Sequence, residues 1–230
     1  CRTHYPQEVV IAMSRNTEER KDAGLSATMI LDCPRRAILA QRYPYYERVS
    51  DYWARFQGTI GHLALEHYGD QQEGVIREER FARTYHVDGI PLTLTARPDK
   101  IDTTCGLLID YKFVGSVPTT PKPNHVAQLN IYADVLADGV HLSSQRPVSF
   151  QIVRAGIIYA SWRRVRKLSV DIWPPEQRQK FIEEKLRPFA QFAADETLPP
   201  ILFERSGERD ARCDHCPLRQ ICDRIHDHGD

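Results

Sequence analysis

Four cysteines at the two ends of the chain constrain its fold more than any other feature. Three of them close the chain as Cys213-x2-Cys216-x5-Cys222, and Cys33 stands alone near its start. Three thiolates cannot complete a four-coordinate site, so a fourth ligand has to come from elsewhere, and Cys33 is the obvious candidate. Thiolate-only ligation suits either a [4Fe–4S] cluster or a structural zinc ion. Either metal would tie the two ends of the protein together.

The composition is that of a soluble globular protein. With 230 residues, 41% of them hydrophobic and 27% charged, the chain fits one domain with a real core. Six cysteines could form three disulfides, but their uneven spacing and the terminal Cys-x2-Cys favour metal ligation in a reducing compartment. No stretch approaches the roughly 20 apolar residues of a membrane span, and no signal peptide is visible, so we expect a cytoplasmic protein without membrane association.

Charge alone does not point to nucleic acid. The 31 basic and 31 acidic residues give a formal net charge of zero, whereas most non-specific nucleic-acid binders are basic. The charges are nevertheless patterned, because four basic side chains lie within residues 163–167. Such a segment is usually a solvated strand or loop, and a neutral total is also compatible with a local cationic groove.

The order of predicted elements indicates an α/β fold with a mixed central sheet flanked by helices. Residues 1–24 are expected to form a partly ordered lead-in. Residues 25–230 are expected to form a single domain, in which 25–55 and 198–230 make a cap around the cysteines. Predicted helices cover 26–42, 56–68, 124–137 and 174–194. Predicted strands cover 77–87, 90–96, 107–113, 148–159 and 161–170, with a hairpin turn at Asp88–Gly89 and a loop over 198–230.

Residues typical of metal-dependent hydrolysis lie between the cysteines. Asp99 and the Asp110-Tyr111-Lys112 triplet flank a turn, so two adjacent antiparallel strands would bring the two carboxylates together. Asp110 and Lys112 are two residues apart and project to the same face of a strand. Two carboxylates suit a hard divalent cation, and a neighbouring lysine can orient the attacking water or stabilise developing charge. The plain alternative is a turn-capping Asp99 beside a cross-strand ion pair.

Further pieces of the sequence occur in a fixed order around this segment. These pieces are Cys33-Pro34-Arg35-Arg36, Gly58-x2-Gly61-His62, Arg97-Pro98-Asp99, Ile109-Asp110-Tyr111-Lys112, Gln128-x3-Tyr132 and the terminal cysteines. In these pieces and their order the chain resembles the PD-(D/E)XK nuclease superfamily, in its RecB-like branch with an iron–sulfur cluster, which includes CRISPR-associated Cas-four-type exonucleases and the AddB nuclease domain. One departure is Asp110, where many relatives carry Glu.

The resemblance implies a restriction-endonuclease-like core in which His62, Asp99, Asp110 and the Tyr111 carbonyl hold Mg²⁺ or Mn²⁺. It implies that Lys112 acts on the attacking water, and that Gln128 and Tyr132 flank the site. It also implies that a [4Fe–4S] cluster on the four cysteines (Cys33, Cys213, Cys216 and Cys222) joins the N-terminal helix to the C-terminal tail. Alternatively, His62 is a surface or satisfied core histidine, and Gln128 and Tyr132 belong to ordinary helix packing.

Three functions therefore compete. The first is a metal-dependent exonuclease acting on single-stranded DNA or DNA ends. The second is a DNA-end trimming module of a CRISPR-adaptation or recombination complex, which would need an integrase or helicase partner. The third is a non-catalytic DNA-binding protein with structural zinc, and the joint presence of Asp99, Asp110 and Lys112 argues against it.

Overall fold

The computed structural model describes residues 24–46, 49–68, 73–202 and 210–228. The predicted lead-in lies outside them, apart from residue 24. Six helices are present among the described residues: α1 (Ala27–Leu31), α2 (Pro34–Arg42), α3 (Val49–Tyr68), α4 (Pro123–Ala137), α5 (Pro175–Asp195) and α6 (Arg219–His228). A 3₁₀ helix at Ala211–His215 precedes α6. None of the described helices has the length and apolar character needed to cross a membrane.

Ten strands form two five-stranded sheets within the same part of the chain. The first sheet, in the order β1-β4-β3-β7-β8, contains β1 (Leu25–Ser26), β4 (Ile90–Ala96), β3 (Phe81–Val87), β7 (Gly139–His141) and β8 (Arg146–Val148). The second sheet, in the order β10-β9-β6-β5-β2, contains β10 (Val165–Val170), β9 (Arg154–Ala160), β6 (Leu107–Phe113), β5 (Lys100–Asp102) and β2 (Val75–Ile76). Each sheet has one parallel pair, β1 with β4 and β6 with β9, so both are mixed.

The expected α/β class is confirmed, although the strands divide between two sheets rather than one. Local turn chemistry explains the first hairpin, since Asp88 and Gly89 both have positive φ, of 51° and 82°, as a two-residue β-turn of this kind requires. The second sheet is built around β6, which is antiparallel to β5 on one side and parallel to β9 on the other. This strand carries the Asp-x-Lys triplet.

The predicted helix over residues 26–42 is wrong in one respect, because it is two helices. Ser26 caps the first, and its Oγ accepts the Met29 N–H at 3.3 Å. The break falls at Cys33, which is extended with φ −70° and ψ 115°. Pro34 explains it, since a proline ring excludes the residue before it from the helical region. Cys33 thereby becomes the N-cap of α2 and its thiol is set at a helix start.

The sequence predicted a loop over residues 198–230, but the described part of this tail contains the 3₁₀ helix and α6. Few apolar residues occur in α6, and Ile221 and Ile225 are four positions apart in an otherwise polar segment. Such a helix gives a weak apolar pattern, because only one narrow stripe needs burial. The helix places Cys222 close to the start of α2, as described below.

Candidate active site

Pairing of β5 with β6 brings the two aspartates together. Lys100 stands opposite Ile109, so one step further along this antiparallel ladder Asp99 faces Asp110. The Asp99 carboxylate accepts the backbone N–H of Tyr111 at 2.5 Å, which fixes it against β6. Both aspartates are buried. The fold therefore holds two carboxylates side by side in a part of the molecule where an unpaired charge is costly.

Lys112 is the cation nearest to Asp110. Its Nζ lies 2.8 Å from Oδ2 and 3.0 Å from Oδ1, and only the contact with Oδ1 has hydrogen-bond geometry. Within the described residues, Oδ2 is thus buried without a hydrogen-bond partner. Burial raises the pKa of Asp110 to about 6, although the Lys112 ammonium opposes this effect, and the negative charge on Asp99 adds to it. The Lys112 ammonium therefore compensates the charge of Oδ2 without donating a hydrogen bond to it.

His62 reaches the same place from α3. Its Nδ1 lies 3.4 Å from Asp99 Oδ1, and its ring meets the rings of Tyr111 and Phe113 at centroid distances of 6.4 and 5.6 Å. Gly61 permits this approach, because a Cβ atom there would overlap the Phe113 ring. The Gly-His pair of the sequence is therefore explained by close packing of α3 against β6.

Glu78 is the member of the site that the sequence did not reveal. Its Oε1 lies 3.3 Å from His62 Nδ1, and its Oε2 lies 3.0 Å from Arg97 Nε. The residue sits between β2 and β3 with a φ of 53°, and its N–H donates to the Pro98 carbonyl at 3.1 Å. A left-handed non-glycine residue stores strain that its surroundings must sustain. The spacing of residues in the sequence does not identify Glu78, because the position of its side chain depends on this left-handed backbone conformation.

Together, His62, Glu78 and Asp99 can hold a metal ion. One ligand atom of each lies within 4.8 Å of the other two. One imidazole and two carboxylates suit Mn²⁺ or Mg²⁺, and the histidine favours Mn²⁺ of the two. Burial alone would lower the pKa of His62, but its hydrogen bonds to Asp99 and Glu78 outweigh that effect and raise the pKa to about 9. In the metal-free site, the imidazolium proton therefore lies between the carboxylates where a cation would bind.

Metal binding is expected to depend steeply on pH. His62 must lose its proton to ligate a metal, so below about pH 9 each bound ion releases one proton and the apparent affinity rises about tenfold per pH unit. Titration calorimetry with Mn²⁺ from pH 5 to 9, in buffers of different ionisation enthalpy, counts the protons. A flat affinity from pH 6 to 9, or an unchanged slope in His62→Gln, would contradict this assignment.

Gln128 and Tyr132 lie on α4 and are both buried. Gln128 Nε2 donates to the Tyr132 hydroxyl at 2.7 Å. Burial raises the pKa of Tyr132 above its ordinary value, and the negative charges on Asp110 and Asp99 add to the effect. Among the described residues, neither side chain hydrogen-bonds to Lys112. Their role in positioning DNA or Lys112 stays a prediction, as does ligation of the metal by Asp110 and by the Tyr111 carbonyl.

The four terminal cysteines line one small cavity between α2 and the C-terminal tail. Cys33 Sγ accepts the Arg36 N–H at 3.5 Å, and burial raises the pKa of this thiol while that hydrogen bond opposes the effect. Arg35 Nε donates to Cys222 Sγ at 3.2 Å, and its Nη1 donates to the Pro199 carbonyl at 2.9 Å. The start of α2 and the three C-terminal cysteines therefore lie around one cavity, while ligation of a metal by the four thiols stays a prediction.

The sulfur spacing bears on the choice of metal. Among the described residues, no three of these thiols lie within 4.8 Å of one another. Bonds of about 2.3 Å in a tetrahedral zinc site would place the sulfurs roughly 3.8 Å apart, closer together than any three of these thiols lie. The five cysteines of the described residues form no disulfides. In the described part of the chain, all four thiols line the same cavity but are not drawn together into a metal site.

The comparisons with known proteins agree with this geometry. The family model of the PD-(D/E)XK nuclease superfamily matches residues 35–223, which include His62, Glu78 and Asp99 and three of the four cavity cysteines, all but Cys33. No curated protein sequence matches the chain significantly.

A likeness in fold extends over nearly the whole chain. Of 14 chains of solved structures that match, one is the crystal structure of SSO0001, with a TM-score of 0.63 and 18% sequence identity. The match covers 94% of this chain and 96% of that one, and at this identity it shows the fold alone. The family match, which spans most of the chain, shows that the protein belongs to the PD-(D/E)XK nuclease superfamily, and this membership implies a metal-dependent nuclease.

Proposed function

We propose that the protein is a metal-dependent deoxyribonuclease that degrades single-stranded DNA or DNA ends as an exonuclease. The observation that carries the proposal is the placement of His62, Glu78 and Asp99 beside the Asp110–Lys112 pair. Ligands for a divalent cation and a lysine for the reacting phosphate lie at one place on β6. Exonuclease rather than endonuclease activity is favoured by the resemblance of the sequence to the RecB-like branch.

The residues of the site divide the work of phosphodiester hydrolysis. A divalent cation, when bound, would lower the pKa of its water and neutralise charge on the phosphate. His62, Glu78 and Asp99 would hold that cation, with His62 neutral. Lys112, held by Asp110, presents N–H donors to the attacking water and to the phosphate oxygen that gains charge. The water oxygen attacks phosphorus, and the bond from phosphorus to the sugar oxygen breaks.

Digestion of end-labelled DNA tests this proposal. Linear single strands, linear duplexes and a closed circular single strand are each incubated with Mn²⁺, with Mg²⁺ or with chelator, using anaerobically purified protein. We expect metal-dependent loss of linear DNA while the circle survives. Lys112→Ala should abolish cleavage, and Lys180→Ala, which removes an exposed lysine of α5, should not. Cleavage of the circle would show an endonuclease, and no cleavage by folded, metal-loaded protein would favour a module activated by an integrase or helicase.

We further propose that Cys33, Cys213, Cys216 and Cys222 hold a [4Fe–4S] cluster with a structural role. Support comes from the cavity that all four line and from the resemblance of the sequence to the branch with an iron–sulfur cluster. The Arg35 guanidinium, hydrogen-bonded to Cys222, would offset negative charge on the thiolates. Because ligands from both chain ends share the cluster, its loss should loosen α2 from the tail.

Metal content and thermal stability test the cluster. Anaerobically purified protein is expected to be brown and to contain iron and acid-labile sulfide. Cys33→Ser should lose the iron and unfold at a lower temperature, whereas Cys105→Ser should keep both, because Cys105 lies in the β5–β6 turn and outside the cavity. A colourless protein with stoichiometric zinc would contradict the proposal.

A further inference from the structure

The turn that joins β9 to β10 presents an exposed tryptophan. Trp162 is 93% exposed, and among the described residues Tyr46 is the one aromatic side chain with a larger exposed fraction. The turn itself is well held, because the Ser161 N–H donates to the Arg164 carbonyl at 2.8 Å. Ser161 Oγ also accepts the N–H groups of Arg163 and Arg164, at 3.4 and 3.2 Å. Trp162 is thus fixed at a closed turn, and its indole contributes little to the core.

This turn lies beside the active-site strand. Lys112 stands opposite Tyr159 in the β6–β9 ladder, and the Val114 N–H donates to the Ala160 carbonyl at 2.8 Å, so pairing continues to the turn. Trp162 follows Tyr159, the partner of Lys112, by three positions, so the backbones of these two residues are at most about 11 Å apart. A DNA strand with its phosphate at Lys112 would therefore have a neighbouring nucleotide near this turn.

The surface between the two places has the chemistry of a single-strand binding site. Phe113 stands opposite Ala160, is 38% exposed and meets the His62 ring. Arg163 and Arg164 flank Trp162 and are both exposed. Exposed aromatic rings supply stacking surfaces for bases, and nearby arginines supply charge for phosphates. A protein-binding hot spot would be expected to surround the indole with apolar side chains. Here the neighbours of Trp162 are exposed cations, which favour a polyanion as the partner.

We propose that Trp162 stacks on a base of the DNA strand next to the cleaved phosphate, while Arg163 and Arg164 contact its backbone. The proposal rests on the proposed function, and it identifies the part of the substrate that the turn recognises. Bases of an intact duplex are paired and stacked on one another, so the turn would select an unpaired strand.

Binding of fluorescent single-stranded oligonucleotides tests this stacking. Lys112→Ala serves as the parent so that the DNA stays intact, and anisotropy gives the affinity. Adding Trp162→Ala should weaken binding about tenfold, whereas Trp162→Phe should retain most of it. Val165→Ala, which shortens another exposed side chain just beyond the turn, should have no effect.

A set of oligonucleotides, each with one abasic position, separates stacking from a general loss of binding. Removing the base at one position should weaken binding to the parent, which retains Trp162. In the Trp162→Ala variant, the same abasic position should cause no further loss of affinity. Equal affinities of the parent and Trp162→Ala would overturn the proposal, as would an abasic cost that is the same in both proteins. A changed oligomeric state with unchanged DNA affinity would assign Trp162 to a protein contact and would also overturn it. If unmodified protein cleaves DNA normally in these cases, only the stacking fails; if it neither binds nor cleaves DNA, the proposed function fails too.

Discussion

Asp99→Asn is expected to reduce metal-dependent DNA cleavage by about 10³-fold, because it removes a carboxylate from the metal site. One Asp99 oxygen lies 3.4 Å from His62 Nδ1, and the other accepts the Tyr111 N–H. An asparagine has the same shape, and its carbonyl oxygen can still accept that N–H. The substitution should therefore leave the β5–β6 pair intact while weakening the attraction for the cation.

The control is an aspartate of the same short strand. Asp102 lies at the far end of β5 and accepts the Thr104 N–H at 3.1 Å, so it caps the turn and takes no part in the site. Asp102→Asn should cleave DNA at the rate of the unmodified protein. Cleavage rates and Mn²⁺ affinity are measured for both variants, with circular dichroism to verify folding. Normal cleavage by folded Asp99→Asn would remove this residue from the active site.

Local signals in the sequence are sufficient for the central part of the site. A turn at Thr103–Gly106 between two apolar runs predicts the β5–β6 pair, and this pair sets Asp99 opposite Asp110. The alternation of a strand likewise places Asp110 and Lys112 on one face. Short-range periodicity and turn chemistry therefore determine which of these side chains are neighbours.

Features that depend on distant parts of the chain were missed. Glu78 reaches His62 only because its own backbone is left-handed and its N–H binds the Pro98 carbonyl. The division into two sheets depends on pairing between segments far apart in the chain, β3 with β7 in one sheet and β6 with β9 in the other. Asp134, in the middle of apolar α4, has partners 51 and 44 residues away. No periodicity within a segment can predict such pairings.

Asp134→Ala is expected to lower the free energy of unfolding by about 3–5 kcal/mol, because it leaves buried cationic and hydroxyl groups without their shared acceptor. Asp134 Oδ2 accepts the Tyr85 hydroxyl at 2.7 Å and Arg83 Nη1 at 3.0 Å. Its Oδ1 lies 3.4 Å from Arg178 Nε. These partners belong to β3 and α5, so the carboxylate joins three elements around the core. Burial, and then the negative charge of Asp134, raise the pKa of Tyr85 above its ordinary value, so the tyrosine stays a donor.

Asp138 provides a matched control because it pairs with the same arginine from an exposed position. Its Oδ2 lies 3.3 Å from Arg83 Nη2, and its side chain is 82% exposed, against 5% for Asp134. Exposed ion pairs contribute at most about 1 kcal/mol, so Asp138→Ala should scarcely change stability. Urea unfolding of the two variants measures the difference, and Asp134→Ala should also melt about 10 °C lower. Equal losses in the two variants would mean that the buried Tyr85 and Arg178 contacts contribute nothing beyond the surface pair. A larger loss for Asp134→Ala alone would place the stabilisation in the buried network, where desolvation makes an unpaired arginine costly.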